Sequence, residues 1–241
     1  MKILVPTICL NVLISVGLFF VSFYFAWQIS ASTNFIYPFW YEVIKIDTAI
    51  TKYAPYNKNR QGFENTNKQE HVRLFRGIVS SIQNSGTGLD QLKYSDNDGN
   101  VIDTLLTQAE VIHLTDVAIL VNKFKYFAIA GGLITFFSFI ILQFSKYKLA
   151  KFRYHFFGGI GLIIIFTLLI IIIGPTNTFY AGHELIFPDQ HQWFFYYEDS
   201  LMSTMMKAPV LFAPIAGELI MLTIILWSVF LYLMIRAKRK F

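Results

Sequence analysis

The sequence is short of cysteine, of charge and of internal repeats, and each shortage removes a class of protein. A single cysteine, Cys9, stands among 241 residues, so neither an intrachain disulfide framework nor a cysteine-based metal site can be built. Inside an apolar run, Cys9 reads as a buried filler. Charged residues make up 15% of the chain against 55% hydrophobic, where a soluble domain carries about a quarter charged. Mean hydropathy is +0.50. So much apolar surface is better covered by lipid than by an oversized core. The formal charge of +5 is too diffuse to argue for nucleic acid, and its use lies in how it is distributed. No repeat, low-complexity tract or compact His-Glu-x-x-His spacing is present.

What is present is four long apolar runs, and a helix of about 20 apolar residues crosses a hydrocarbon core ~30 Å thick. They extend from Ile3 to about Trp27, about Phe124 to Phe144, about Phe156 to Ile173 and about Val210 to Ile235, with no Lys or Arg in their interiors; Lys125 stands at the edge of the second. The first exceeds the length of a signal-peptide apolar region, roughly 7–15 residues, and reads as a retained anchor. Ser145 to His155 carries Lys146, Lys148, Lys151 and Arg153 with no acid, and the C-terminus ends on Arg236, Lys238, Arg239 and Lys240. By the positive-inside rule both are cytoplasmic, and the N-terminus with Lys2 joins them. The expected fold class is an all-α membrane protein, a four-transmembrane-helix bundle with a mixed, mainly helical extracytoplasmic cap. The expected segments are spans 1–29, 123–144, 156–173 and 209–235, cap segments 30–122 and 174–208, a cytoplasmic loop 145–155 and a tail 236–241.

Within the first cap segment, Tyr37 to Tyr53 is aromatic and amphipathic, and Gln69 to Gln83 places Val72, Phe75, Val79 and Ile82 at helical spacing. Asn84–Gly88 and Ser95–Asn100 read as turns. Thr107-x-x-Glu110 matches a capping box that opens a helix, which then feeds into the second span, with Lys123 and Lys125 snorkelling at its boundary. Glu110, His113 and Asp116 follow at intervals of three, so neighbours share a helical face. An acid one turn from an imidazole fixes its tautomer and raises its basicity; equally, Glu110 is explained by the capping box alone and Asp116 by solvent. The second cap segment, Tyr180 to Asp199, is dense in aromatics like an interfacial belt, but a belt does not account for His183 and His191. His155 in the basic loop reads as a headgroup contact and His71 as solvent-facing. Glu218, inside the last span, is either a functional intramembrane acid or an acid reaching headgroup water.

Two blocks carry a resemblance. Glu110-x-x-His113-Leu114-x-Asp116-Val117 ahead of the second span is similar to a signature of the bacterial lipoprotein intramolecular transacylases. His183, Phe187, Trp193, Asp199-Ser200-Leu201 and Pro209 resemble that family's second signature. Residues 54–102 match nothing in it, and Ala118 stands where the family often has Lys. The resemblance implies an acyltransferase that moves the sn-2 acyl chain of a diacylglyceryl lipoprotein to the α-amine of its N-terminal cysteine, leaving a lyso-form product. By match to the family pattern His113 and His183 are catalytic, with the roles of base and acid open. Glu110, Asp116, Trp193 and Asp199 support them, and Phe187, Phe194 and Tyr41 bind substrate in an aromatic enclosure. Aminolysis needs a neutral amine and a protonated leaving oxygen. Two imidazoles suit both tasks, each worth roughly 10²–10⁴-fold, and joining donor and acceptor in one molecule supplies the rest. His191 competes with His183 for the second role. The implied partners are the diacylated lipoprotein and membrane lipid, with no nucleic acid, cofactor or metal; nothing in the sequence speaks to oligomeric state. A metal-dependent membrane hydrolase using His113, His183 or His191 with Glu110, Asp116 or Asp199, and a non-enzymatic module whose cap binds a lipid or protein, are the competing readings.

Overall fold

The computed structural model describes residues 4–238; Lys2, Arg239 and Lys240, three of the charges that orient the chain above, lie outside them. Among the described residues four helices are long and apolar enough to cross a membrane. They are α1 (Leu4–Ser32), α5 (Gln108–Phe144), α6 (Phe152–Ile173) and α9 (Phe212–Lys238). The remaining helices are α2 (Tyr37–Val43), α3 (Ile46–Tyr53), α4 (Lys68–Gln83), α7 (Pro175–Ile186) and α8 (Leu201–Met206). A single antiparallel hairpin joins β1 (Lys93–Ser95) to β2 (Val101–Thr104), with Tyr94 opposite Asp103. Its turn is built on Asp96, whose carboxylate accepts from the backbone N–H groups of Asp98 and Asn100 at 3.0 and 2.8 Å. Among the described residues the regular structure is helical apart from this ribbon, and the chain is an integral membrane protein.

Contacts divide the chain into two compact units. One comprises residues 1–27, 124–185 and 219–241. Here α1 and α5 touch backbone to backbone: a Cβ on Gly17 would lie 2.4 Å from the Gly131 carbonyl oxygen, and one on Gly131 would lie 2.7 Å from that of Gly17. Small residues permit such approach where no hydrophobic drive separates helix from lipid. Ile14, Leu18, Leu142, Trp227 and Leu231 form the packed centre, with Phe152 and Phe156 against it. Asn11, which nothing in the sequence marks, ties the loop after α5 to α1. Its Nδ2 donates to the Lys148 carbonyl at 3.0 Å and its Oδ1 accepts from the Ala150 N–H at 2.7 Å.

Helix α6 buries only His155. That ring is 7% exposed, its Nδ1 2.6 Å from the Ser15 hydroxyl, so it is a helix-to-helix contact and not the headgroup contact the basic loop suggests. From Phe156 to Ile173 the helix is apolar on every face, as a helix bathed in lipid is. Cys9 likewise is exposed on α1 rather than buried, because an apolar residue on a lipid-facing helix needs no core. Gly174 (φ 95°) ends α6, and Pro175, lacking an N–H to continue it, opens α7.

The other unit comprises residues 28–123 and 186–218. Its core holds Tyr37, Phe63, Leu74, Ile78, Leu89, Tyr94, Leu105, Leu201 and Met205, all shut from solvent. Asn67 caps α4, its side chain accepting from the Glu70 N–H at 3.1 Å. Tyr37 stacks on Phe75 at 4.2 Å between centroids and donates its hydroxyl to the Met205 carbonyl at 2.8 Å. Arg60 knits the connection into α5, donating to the carbonyls of Thr104 at 2.6 Å and Leu106 at 3.1 Å. Lys207 reaches the Ile44 carbonyl at 2.7 Å, tying the end of α8 to the bend between α2 and α3.

His71 is buried, not solvent-facing. It lies between Tyr41 and Phe63, stacked at 5.8 and 5.0 Å. Apolar spacing alone put it on the wet face of α4; the aromatic residues that enclose it come from α2 and from the turn at residues 63–65.

Candidate active site

The first turns of α5 carry Glu110, His113 and Asp116. The capping box forms: Thr107 Oγ1 accepts from the Glu110 N–H at 3.4 Å, and Glu110 Oε2 accepts from the Thr107 N–H. The other carboxylate oxygen is bonded too, accepting from the hydroxyl of Ser200. Ser200 in turn caps α8 by accepting from the Ser203 N–H at 2.8 Å. Glu110 and Ser200 are 1% and 0% exposed. Glu110 thus fastens the start of α5 to the segment that follows the second aromatic block, a function no spacing in the sequence reveals.

Asp116 faces His191. Its Oδ2 lies 2.7 Å from His191 Nδ1, and the acid is largely covered. A carboxylate oxygen only accepts, so Nδ1 of His191 holds the proton and, in the neutral ring, Nε2 holds the lone pair. The sequence put Asp116 one turn from His113; the tertiary structure gives this bond to a histidine 75 positions away. The His113 ring meets Phe187 at 4.9 Å, edge to face, and Phe195 at 5.9 Å. Phe187 is buried, and Phe194 is 40% exposed with Trp193 edge-on at 6.2 Å. Asp199 forms a half-exposed ion pair with Lys58 at 3.0 Å, and its carbonyl accepts from Asn59 Nδ2 at 2.8 Å. Residues 187–199 have no regular secondary structure, so these side contacts fix the segment.

Tyr41 donates to the His71 Nδ1 at 3.0 Å, and burial, then Asp47 and Glu42, push its phenol up to about 12. Its hydroxyl is engaged with the core histidine.

His183 belongs to the first unit, on α7. Its Nδ1 lies 2.8 Å from the Phe179 carbonyl oxygen, one turn back, and its ring tilts against Phe179 at 4.0 Å. A carbonyl only accepts, so Nδ1 carries the proton and Nε2 the lone pair of the neutral ring.

Among the described residues no three His, Cys, Asp or Glu side chains gather into a group that could hold a metal ion.

Comparison with known proteins places the chain's family and fold. Residues 12–208 match the family model described as lipoprotein intramolecular transacylase Lit. Solved structures of similar fold include the membrane integral lipoprotein intramolecular transacylase Lit from Bacillus cereus with a histidine-to-arginine mutation. It is 17% identical, with 97% of this chain and 92% of that chain covered and a TM-score of 0.67. The histidine-to-alanine form of the same protein is 18% identical, with 97% and 94% covered and a TM-score of 0.66. A further structure of that transacylase is 17% identical, with 97% and 96% covered and a TM-score of 0.63. No curated protein sequence matches the chain.

Proposed function

The chain belongs to the lipoprotein intramolecular transacylase family and is a membrane acyltransferase acting on lipoproteins, and from that premise we propose that His113 and His183 carry the protons of its reaction. The substrate is a lipoprotein bearing a diacylglyceryl group on its N-terminal cysteine. The α-amine nitrogen attacks the sn-2 ester carbon; an N–C bond forms, the C–O bond to glycerol breaks, and the products are an amide and a free sn-2 hydroxyl. One imidazole takes the proton the amine sheds and the other gives one to the departing oxygen, so the protons balance. The bond from His183 Nδ1 to the Phe179 carbonyl supports His183 as the base, because it leaves the lone pair on Nε2. His113, whose ring stands against Phe187 and Phe195, then takes the role of acid.

The observation that carries this reading is the family match across 82% of the chain (197 of 241 residues), which includes both histidine blocks. The orientation follows from the charge pattern: cytoplasmic termini and loop 145–155, with the two long connections on the outer face.

The deciding measurement is mass spectrometry of lipoprotein N-termini in cells carrying the wild type, His113→Ala or His183→Ala. The wild type yields an N-acylated cysteine with a lyso-glyceryl group, and each variant yields the diacyl form with a free amine. Full conversion by either variant rejects its assigned role. The Asp116–His191 pair favours a second reading, in which His191 replaces His183 as the base. In that case His191→Ala, and not His183→Ala, stops conversion.

A further inference from the structure

Glu218 has no part in the chemistry above, yet its surroundings are unusual. It lies in α9, is 9% exposed, and its Oε1 accepts from the Ser30 hydroxyl at 2.7 Å. Its second oxygen, Oε2, is buried without a hydrogen-bond partner. An ionisable residue in a membrane helix is retained against its cost and points to a ligand. Four residues beyond the fully buried Ser30, Asn34 is 3% exposed, and neither Oδ1 nor Nδ2 of its amide is bonded. Buried polar groups are nearly always paired, so each such atom needs an explanation.

The backbone at this point is strained. Asn34, Phe35 and Ile36 have φ values of 56°, 50° and 48°, three consecutive non-glycine residues in the left-handed region, where Cβ crowds the carbonyl. Asparagine tolerates that conformation, whereas a β-branched isoleucine does not. The turn is held from both sides, by Thr33 Oγ1 donating to the Ser30 carbonyl at 3.0 Å and by Tyr37 donating to Met205 at 2.8 Å. Strain of this kind persists where the fold imposes it and concentrates at ligand sites. Neither an unpaired amide nor an unpaired carboxylate oxygen serves the packing.

We propose that Glu218 and Asn34, with Ser30 orienting the carboxylate, receive a primary ammonium group that has an acceptor oxygen beside it. The open valences are two acceptors, Glu218 Oε2 and Asn34 Oδ1, and one donor group, Asn34 Nδ2. Ester and ether oxygens offer no donor, and an anion meets Glu218 unfavourably. An ammonium supplies three donors and a countercharge, and a neighbouring oxygen takes the amide N–H. Two membrane molecules carry this chemistry: the N-terminal residue of a lipoprotein, with its α-ammonium and peptide carbonyl, and the phosphoethanolamine headgroup. The first rests on the transacylase reading and makes Glu218 a positioning residue that docks the cysteine before its amine is deprotonated.

The test uses full-length enzyme in nanodiscs and an unreactive probe, a cysteinyl dipeptide bearing a diether glyceryl group, with its α-amine free or acetylated. The variants are Glu218→Gln, which keeps the acceptor for Ser30, and Asn34→Gly, which tolerates the left-handed turn. The free-amine probe is expected to inhibit the wild type at least tenfold more tightly than either variant, with the acetylated probe alike on all three. Phosphatidylethanolamine retained on purification is measured in parallel; loss of it in the variants with unchanged probe inhibition assigns the ammonium to the lipid headgroup. Unchanged inhibition together with unchanged lipid retention overturns the proposal. Because the probe does not react, its binding is independent of the roles given to His113 and His183.

Discussion

Lowering the pH should loosen the unit around α4 through one histidine, with a magnitude that follows from its surroundings. His71 is 3% exposed and both ring nitrogens are engaged. Thr66 spends its one proton on the Phe63 carbonyl at 2.6 Å, so it accepts at 2.7 Å from His71 Nε2–H. Nδ1 is therefore the acceptor for Tyr41, and the ring is neutral. Burial drives the His71 pKa down from 6.5 to about 4. The unfolded chain then binds a proton between these values that the folded one refuses. The stabilisation is complete above the unfolded pKa and is lost as pH falls towards the folded one. Relative to pH 7 the loss is about 2 kcal/mol at pH 5 and about 3 kcal/mol at pH 4, at 1.36 kcal/mol per pKa unit. For a chain of this size that lowers Tm by roughly 4–8 °C at pH 5. The assay is thermal unfolding in detergent across pH 4–8, comparing the wild type with His71→Gln, which has no proton to gain. The wild type should fall more steeply than the variant by the stated amount. Parallel curves, or a His71 imidazole that titrates near 6.5 by NMR, would refute the reasoning.

Other substitutions probe other joints. Ser200→Ala removes the α8 cap and strands a carboxylate oxygen of Glu110, so it should cost about 2–4 kcal/mol, read as lower Tm and membrane yield; Ser200→Thr, which keeps the hydroxyl, should restore most of it. Gly17→Ala drives a methyl into the Gly131 carbonyl and should destabilise by roughly 1–3 kcal/mol, whereas Gly132→Ala, whose Cβ meets only Val21 at 3.7 Å, should leave unfolding nearly unchanged. Tyr37→Phe, which loses the bond to the Met205 carbonyl, should cost about 1 kcal/mol in the same measurement.

By itself the sequence determined what depends on neighbours along the chain. Uninterrupted apolar runs specify membrane helices because lipid selects for length and composition alone. The Thr107–Glu110 cap formed because its partners are three residues apart, and the α4 stripe of Phe75, Val79 and Ile82 was legible because a helix repeats every turn. The two histidine blocks could likewise be found by pattern. Only the tertiary structure decided who meets whom across distance. Asp116 pairs with His191, Glu110 takes Ser200, Ser30 takes Glu218, and His71 and His155, both read as surface groups, lie inside. Periodicity reports which face of a helix is apolar, and it carries no information about a polar residue that a distant ring or hydroxyl satisfies. Nor do adjacent residues disclose that Asn34, Phe35 and Ile36 are bent left-handed: Phe35 and Ile36 disfavour that conformation locally, and packing around Tyr37 imposes it.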